Sequence, residues 1–175
     1  MLSETMQEAL NTQLNKELFS AYLYLSMSAY STYSGLKGFA NWFMVQYQEE
    51  MVHAMKLYTY INDQGGQVKL RAIEQPATEF ESPRDMFEKT LAHEKFITRS
   101  INELVDLAIA EKDHATNIFL QWFVTEQIEE EGNDNEIIAR LKLVGEDGNG
   151  LLMLDKELAA RVFTPPAVTS AGGGA

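Results

Sequence analysis

A carboxylate and an imidazole interrupt the apolar face of one long helical stretch. Glu50 and His53 lie one turn apart between residues 39 and 64, a stretch without glycine or proline. Apolar residues recur at three- and four-residue steps before and after them, so both side chains are expected to point inward. A buried carboxylate needs a compensating charge. The Glu-x-x-His spacing on an inward helix face allows both side chains to reach one metal ion.

Three further glutamates occupy inward positions on three other predicted helices. They are Glu17, Glu94 and Glu130. A glutamate on a helix is more often a solvated surface residue, so none of these positions is decisive by itself. The joint pattern indicates a cluster of carboxylates inside a helical bundle.

The two halves of the chain repeat this polar pattern at an offset of 77 residues. Apolar neighbours follow the same offset, which takes Leu14 to Leu91 and Trp42 to Phe119. Two similar helix hairpins packed about a pseudo-two-fold axis would bring the polar groups together at mid-bundle. The offset pairs Glu17 with Glu94, Glu49 with Glu126, Glu50 with Gln127 and His53 with Glu130.

The predicted carboxylate cluster carries enough charge to balance two divalent ions. Without metal, four clustered carboxyls cannot all ionise, so some should hold protons through raised and mutually dependent pKa values. Metal binding should then release those protons. Carboxylates with a single imidazole suit iron or manganese better than copper, and zinc could bind without redox chemistry.

The composition excludes several classes of partner and site. The chain has 175 residues and a formal net charge of -12, which argues against nucleic acid or an anionic membrane surface. It has no cysteine, so thiolate metal sites and disulfides are excluded, and a reducing cytoplasm is compatible. The N-terminus has no basic and apolar leader pattern, and no apolar run approaches the roughly 20 residues of a membrane helix. We therefore expect a soluble, cytoplasmic protein.

Four long helices and one short helix are predicted to position the polar residues. Capping residues and Gly or Pro positions mark the ends of the long helices. The predicted helices run from a cap at Ser3 to about residue 33, from 38 to 64, from Ser82-Pro83 to about 112, and from a cap at Asp113 to about 144.

The connections between these helices predict the topology. Residues 67–82 are long enough to cross the bundle, which would make the second and third helices parallel. Residues 145–150 predict a turn, and the apolar spacing from Leu151 to Val162 predicts the short fifth helix. The fold class is therefore all-α, a four-helix bundle with one crossover and a fifth helix. We expect one domain over residues 1–163 and a flexible tail over 164–175.

These residues resemble the ferroxidase motifs of the non-haem ferritins of bacteria and archaea. The resemblance covers about residues 4–163 and includes the helix lengths, the crossover and the fifth helix. It implies an iron-storage protein that oxidises Fe²⁺ with O₂ or peroxide and stores ferric mineral in a hollow shell of 24 subunits. The matching positions are Glu17, Tyr24, Glu49-Glu50-x-x-His53, Glu94 and Glu126-Gln127-x-Glu129-Glu130.

The resemblance also implies a role for each matching residue. One iron would be held by Glu17, Glu50 and His53. The second iron would be held by Glu94 and Glu130, with Glu50 bridging ions about 3.5–4 Å apart. Gln127 would hydrogen-bond oxygen or water at the site. The remaining acidic positions, Glu49, Glu126 and Glu129, would form a third iron site reached through Glu130.

Two aromatic residues and a methionine have competing interpretations. The resemblance makes Tyr24 and Trp122 nearby electron donors, although both also fit plain core packing. Met51 stands where bacterioferritins carry a haem-ligating methionine. That family has a second Glu-x-x-His in the fourth helix, whereas the corresponding stretch here ends at Glu130. Haem is therefore not expected.

Two other histidines are not expected to bind the metal. His93 adjoins Glu94 but points about 100° away from it on the helix. The resemblance would place His114 near a pore of the shell, together with Asp113 and Thr116. A plain helix cap also explains that region.

Three other classes of protein fit parts of the pattern. A rubrerythrin-like peroxidase would add a cysteine-rich iron domain, which the absence of cysteine disfavours. The miniature DNA-binding cage proteins are shorter, lack the fifth helix and bind iron between subunits. A non-catalytic bundle that assembles through its apolar surface would tolerate the loss of its core carboxylates.

Overall fold

Five helices and no strand are present in the part of the chain that the computed structural model describes, residues 2–145 and 147–165. The four long helices begin and end within about two residues of the predicted positions, and the all-α class is confirmed. The helices are α1 (Glu4–Tyr33), α2 (Lys37–Asp63), α3 (Pro83–Ala110), α4 (His114–Val144) and α5 (Gly148–Leu158).

Side-chain caps explain where three of the long helices begin. Ser3, Ser82 and Asp113 each accept a hydrogen bond from the backbone N–H three residues later, at 2.9, 3.0 and 3.0 Å. Each cap satisfies an N–H group that the helix itself leaves unpaired. After α2, Gly65 adopts a φ of 74°, a left-handed conformation that ends the helix at little steric cost.

Residues 64–82 run along α1 and make α2 and α3 parallel. Near the start of α1, the Asn11 side chain donates to the backbone oxygen of Gln67 at 3.0 Å. Near the end of α1, the Tyr30 hydroxyl donates to the backbone oxygen of Phe80 at 2.6 Å. The crossover expected from the sequence is therefore present.

The fifth helix differs from its predicted boundaries at both ends. It begins at Gly148, inside residues 145–150 that the sequence predicts as a turn. Asp147 accepts hydrogen bonds from two N–H groups of the first turn, at 3.1 and 3.3 Å, and this cap offsets the low helix propensity of glycine. The helix ends at Leu158, so Val162 lies beyond it and is 78% exposed.

The predicted tail, residues 164–175, lies mostly outside the described residues. Thr164 and Pro165 follow α5 without regular secondary structure. The domain division at residue 163 stays a prediction. Within the described ranges, no helix combines the length and the apolar character that crossing a membrane requires.

A polar layer separates the buried core into two apolar clusters. One cluster joins the end of α1, the start of α2, the start of α3, the end of α4 and α5, and includes Tyr24, Phe43 and Phe87. The other includes Leu10, Leu57 and Phe123. Each cluster excludes water from one side of the layer, which strengthens the electrostatic interactions inside it. The polar layer consists of Gln13, Glu17, Gln46, Glu50, His53, Glu94, Gln127 and Glu130, all of them buried.

Candidate metal centre

Three side chains from α1 and α2 converge in the polar layer. One ligand atom each from Glu17, Glu50 and His53 lies within 4.8 Å of the other two. Their exposed fractions are 1%, 1% and 3%. The Nδ1 atom of His53 lies 3.4 Å from Oε2 of Glu50. Two carboxylates and an imidazole at this separation can bind a single divalent cation.

Two carboxylates from α3 and α4 complete the layer, and neighbouring side chains hold them by hydrogen bonds. The Tyr24 hydroxyl donates to Oε1 of Glu94, and Nε2 of Gln127 donates to Oε2 of the same carboxylate at 2.9 Å. Nε2 of Gln46 donates to Oε2 of Glu130 at 2.8 Å. Both glutamates are thus fixed in orientation by groups that do not themselves carry charge.

Burial and mutual repulsion raise the pKa values of the carboxyls in the layer. Burial raises the pKa of Glu50 well above its usual range, and the charges of Glu94 and Glu130 raise it further. Burial and the charge of Glu50 do the same to the pKa of Glu17. Burial, followed by the charge of Glu94, raises the pKa of Glu130 to about 7. The metal-free layer therefore holds protons that an arriving cation would displace.

Two buried carboxylate oxygens in the layer have no hydrogen-bond donor in the described part of the chain and are therefore available to a ligand. Within the described residues, Oε2 of Glu17 and Oε2 of Glu50 are buried and lack a hydrogen-bond donor. Buried polar atoms in folded proteins are nearly always paired, so such atoms require a specific explanation. A cation bound between the two carboxylates would satisfy both.

A chain of hydrogen bonds fixes the other oxygen of Glu17. Nε2 of Gln13 donates to Oε1 of Glu17 at 2.7 Å. The Ser100 hydroxyl donates in turn to Gln13, and Nζ of Lys16 donates to that hydroxyl at 2.5 Å. The orientation of Glu17 is therefore set by residues of both α1 and α3.

Three acidic residues outside the polar layer surround a cavity of about 470 Å³. Glu49 and Glu126 are half-buried, whereas Glu129 is exposed. His53 and Glu130 also line this cavity, which therefore adjoins the polar layer. The Nε2 atom of His53 lies 4.0 Å from Oε2 of Glu126. The cavity offers a further cation-binding space that opens toward solvent.

The structure gives different surroundings to the aromatic and histidine candidates. The Tyr24 hydroxyl donates a hydrogen bond to the Glu94 carboxylate in the layer. The Trp122 ring packs edge-on against the His53 ring, with the ring centroids 5.3 Å apart. His93 lies outside the layer, with Nε2 2.7 Å from Oγ of Ser20, and burial lowers its pKa.

The remaining candidates lie away from the layer. His114 is exposed at the first position of α4, and Asp113 supplies the cap there, with its Oδ2 accepting from the Thr116 hydroxyl at 2.5 Å. Met51 is half-buried on α2.

Four polar residues around the centre were given no role by the sequence analysis. Gln13 precedes Glu17 by four residues, and Asp134 follows Glu130 by four, so helical spacing could have placed both on the inward faces. Gln46 lies on the inward face of α2, but its contact with Glu130 on another helix has no local sequence signal. Arg161 follows α5 in irregular chain, where no periodicity indicates its position. The four residues are Gln13, Gln46, Asp134 and Arg161.

Known protein sequences match this chain over most of its length. The family model described as the ferritin-like domain matches residues 7–144. A probable bacterial non-heme ferritin-like protein of Haemophilus influenzae is 46% identical over 158 residues, which cover 90% of this chain and 96% of that protein. The bacterial non-heme ferritin of Staphylococcus aureus is 42% identical over 163 residues, covering 93% and 98%.

Solved structures match the fold equally closely. An open pore ferritin from the hyperthermophilic archaeon Archaeoglobus fulgidus superimposes with a TM-score of 0.92 and 52% identity, covering 93% of this chain and 100% of that one. A closed form engineered from the A. fulgidus ferritin gives a TM-score of 0.93 and 53% identity, covering 94% and 100%.

Proposed function

Since this chain belongs to the ferritin family, we propose that it stores iron and oxidises Fe²⁺ to Fe³⁺ with O₂ at the buried polar layer. The observation that carries the proposal is the cluster of Glu17, Glu50 and His53, with ligand atoms within 4.8 Å of one another. Desolvated carboxyls with raised pKa values at this spacing favour a cation over an empty site.

Two Fe²⁺ ions are the proposed substrates of one reaction cycle. Glu17, Glu50 and His53 would bind the first ion, and Glu94 and Glu130 the second, with Glu50 reaching both. Four carboxylates balance the charge of two divalent ions, and imidazole adds a neutral ligand. O₂ would accept one electron from each Fe²⁺ ion and two protons from water, leaving as H₂O₂, and the two resulting Fe³⁺ ions would move on to the mineral.

Neutral hydrogen-bond donors keep the layer ready for the cations. Burial, followed by the charge of Glu94, raises the pKa of Tyr24 well above its usual range, so the phenol stays protonated and donates to that carboxylate. The amides of Gln13, Gln46 and Gln127 donate to Glu17, Glu130 and Glu94. These donors orient one oxygen of Glu17 and one of Glu130 and leave the other free for metal, whereas both oxygens of Glu94 accept hydrogen bonds, from Tyr24 and Gln127.

The cavity beside the layer is the proposed third iron site. Glu49, Glu126 and Glu129 would hold the ion there, with Glu130 shared between the cavity and the layer. Because the cavity opens toward solvent, an ion there can exchange without disturbing the buried pair. This arrangement suits a position through which iron passes on its way into or out of the centre.

The proposal includes assembly of 24 subunits into a shell around the mineral, located in the cytoplasm. Assembly rests on membership of the ferritin family. Sedimentation that gave a monomer near 19.8 kDa under all salt conditions would contradict it. Nucleic acid and membranes are not proposed as partners, because the net charge of -12 disfavours anionic surfaces. The absence of cysteine is compatible with a reducing compartment.

Stopped-flow measurement of aerobic Fe²⁺ oxidation tests the proposed reaction. Glu50→Ala and His53→Ala should abolish the rapid phase while leaving the helical content unchanged. Glu103→Ala, an exposed glutamate of α3, serves as the control and should oxidise iron at the parent rate. Unchanged rates in both layer variants would remove the catalytic assignment.

Anaerobic titration of cations tests the third site separately. Glu126→Ala and Glu129→Ala should reduce the number of ions bound per subunit from three to two. Both variants should keep the pair in the polar layer. A titration that still gave three ions in both variants would refute the third site without affecting the di-iron centre.

A further inference from the structure

Arg161 places a guanidinium in the wall of the cavity proposed as the third iron site. Its Nη2 atom donates to Oε2 of Glu49 at 2.7 Å, and its guanidinium carbon lies 4.7 Å from the centre of the Trp42 ring. The Asn41 side chain donates to the backbone oxygen of Arg161 at 2.9 Å. The backbone at this position is thus fixed, and the charged group occupies the place where a cation would meet Glu49.

The same arginine has a buried nitrogen without an acceptor. Across the described ranges, no partner is present for Nη1 of Arg161, nor for either carboxyl oxygen of Asp134. Asp134 is 1% exposed. A donor without an acceptor and two acceptors without a donor are complementary, and each is costly to bury alone.

The surroundings of Asp134 connect it electrostatically with the arginine. Burial, followed by the charges of Glu94 and Glu130, raises the pKa of Asp134 to about 9, whereas the charge of Arg161 lowers it. Asn133, directly before Asp134, and Glu130, one helical turn before it, line the same cavity as Arg161. Asp134 therefore lies beside that cavity, although it forms no hydrogen bond with Arg161.

The internal repeat makes the carboxyl of Asp134 unexpected. The 77-residue offset that relates the two hairpins pairs Asp134 with Leu57, a core residue that is 0% exposed. A leucine at 134 would carry no desolvation cost, whereas a buried unpaired carboxyl does. Residues that break the local packing rules in this way are expected mainly at functional sites.

We propose that Arg161 is a built-in counter-ion for the third cation site, with Glu49 as its partner in the metal-free protein and Asp134 as its partner once a cation binds Glu49. The inference rests on the proposed third site. Rotation of the Arg161 side chain about its fixed backbone would pair Nη1 with the Asp134 carboxyl, and neither has another partner in the described residues. Asp134, which is protonated when alone, would release that proton to solvent as the pair forms. The charge near Glu49 would be preserved, with the cation replacing the guanidinium.

This exchange sets how tightly the third cation is held. The cation must displace a charge-assisted hydrogen bond to reach Glu49, which weakens its binding. Asp134 receives the displaced guanidinium and recovers part of that loss. The third ion is therefore bound weakly enough to move on, which a site of passage needs.

Calorimetric titration of the assembled, iron-free protein with Zn²⁺, a redox-inert divalent cation, tests the proposal. Arg161→Gln should tighten the third Zn²⁺ by about tenfold, the effect expected from removing one competing charge-assisted hydrogen bond. Asp134→Asn should weaken it several-fold, because the displaced guanidinium loses its second partner. In the Arg161→Gln background, Asp134→Asn should change the affinity by less than about twofold.

Two further variants serve as controls. Arg140→Gln removes a half-buried arginine that pairs with Glu157 outside the cavity, and the affinity for the third Zn²⁺ should stay at the parent value. Asp134→Leu, which introduces the residue found at position 57, should reproduce the effect of Asp134→Asn. It separates the loss of the carboxyl from any defect caused by a buried amide.

The outcomes distinguish failure of this inference from failure of the proposed function. An unchanged third affinity in Arg161→Gln, or an equal effect of Asp134→Asn in both backgrounds, would overturn the inference. Two tightly bound ions in every variant and never a third would overturn it as well, while leaving the di-metal centre intact. If the parent protein failed to bind two ions tightly, the proposed di-metal centre itself would be refuted.

Discussion

The carboxylate of Asp155 in α5 caps α2 by accepting a hydrogen bond from the backbone N–H of Gly38 at 2.7 Å. The same oxygen accepts from the N–H of Phe39 at 3.0 Å. The residue before α2 is Leu36, whose side chain has no acceptor, so Asp155, 117 positions after Gly38, supplies the cap. A Cβ atom on Gly38 would lie 1.6 Å from the backbone oxygen of Asp155. Electrostatic capping and close approach together fix α5 against the start of α2.

Breaking this contact should loosen α5 without unfolding the bundle. Asp155→Ala should lower stability by about 1–2 kcal/mol, the usual cost of a lost cap, and Gly38→Ala should cost more because helix and backbone would collide. Glu157→Ala, which removes an exposed residue of the same helix, is the control and should change stability little. Thermal unfolding and amide exchange over residues 148–158 measure both effects. Parent-like exchange in Asp155→Ala would contradict the capping role.

Removal of the Tyr24 hydroxyl should slow iron oxidation without disturbing the fold. Tyr24→Phe leaves one oxygen of Glu94 without its donor, and we expect a rate about tenfold lower if that bond positions the carboxylate for the reaction. Tyr30→Phe also removes one hydroxyl that bonds within the fold, at 2.6 Å to the backbone oxygen of Phe80, but away from the polar layer. Stopped-flow oxidation rates compare the two variants. Equal slowing in both would mean that Tyr24 contributes only to packing.

Replacement of Asp134 by leucine should stabilise the metal-free protein in a pH-dependent way. The folded-state pKa of Asp134 is raised to about 9, against roughly 3.9 for an unfolded aspartate, so over that interval the folded protein holds a proton that the unfolded chain releases. This contribution to stability is full below about pH 4 and is lost as the pH rises toward 9. The stabilisation by Asp134→Leu should therefore be small near pH 4 and exceed about 2 kcal/mol by pH 8.

Thermal unfolding of the metal-free proteins at several pH values measures this difference. Asp106→Leu, at an exposed position of α3, is the matched control and should give a difference that does not grow with pH. A constant difference between Asp134→Leu and the parent from pH 5 to pH 8 would show that Asp134 is not held protonated by the fold.

Helical periodicity was sufficient to predict the inward carboxylates and the imidazole of the polar layer, because these residues lie in the middle of long regular helices. The polar residues that the 77-residue offset pairs are buried to the same degree: Glu50 and Gln127 are both buried, and Glu49 and Glu126 are both half-buried. The apolar pairs are not, because Leu14 and Trp42 are buried whereas Leu91 and Phe119 are half-buried. The 77-residue repeat of polar residues therefore predicts which polar side chains lie at equivalent depths in the two hairpins. Asp134 continued the same inward stripe and could have been included.

The remaining features depend on contacts that are distant in sequence. The start of α5 follows from a cap at Asp147 and from the docking of Asp155 on α2, neither of which leaves a periodic pattern. Arg161 reaches Glu49 only because α5 is docked in that place. Local sequence can predict which residues share a helix face, but a side chain in irregular chain is positioned by tertiary packing alone.

The proposed ligands of the centre are divided between the two hairpins, with Glu17, Glu50 and His53 on one and Glu94 and Glu130 on the other. A pair of ions held by all five residues would be a cross-link between the halves of the bundle, with Glu50 contacting both ions. Filling the centre should then suppress the breathing motion that separates the hairpins, and emptying it should restore that motion. Bound iron would thereby control the rigidity of each subunit of the shell that stores it.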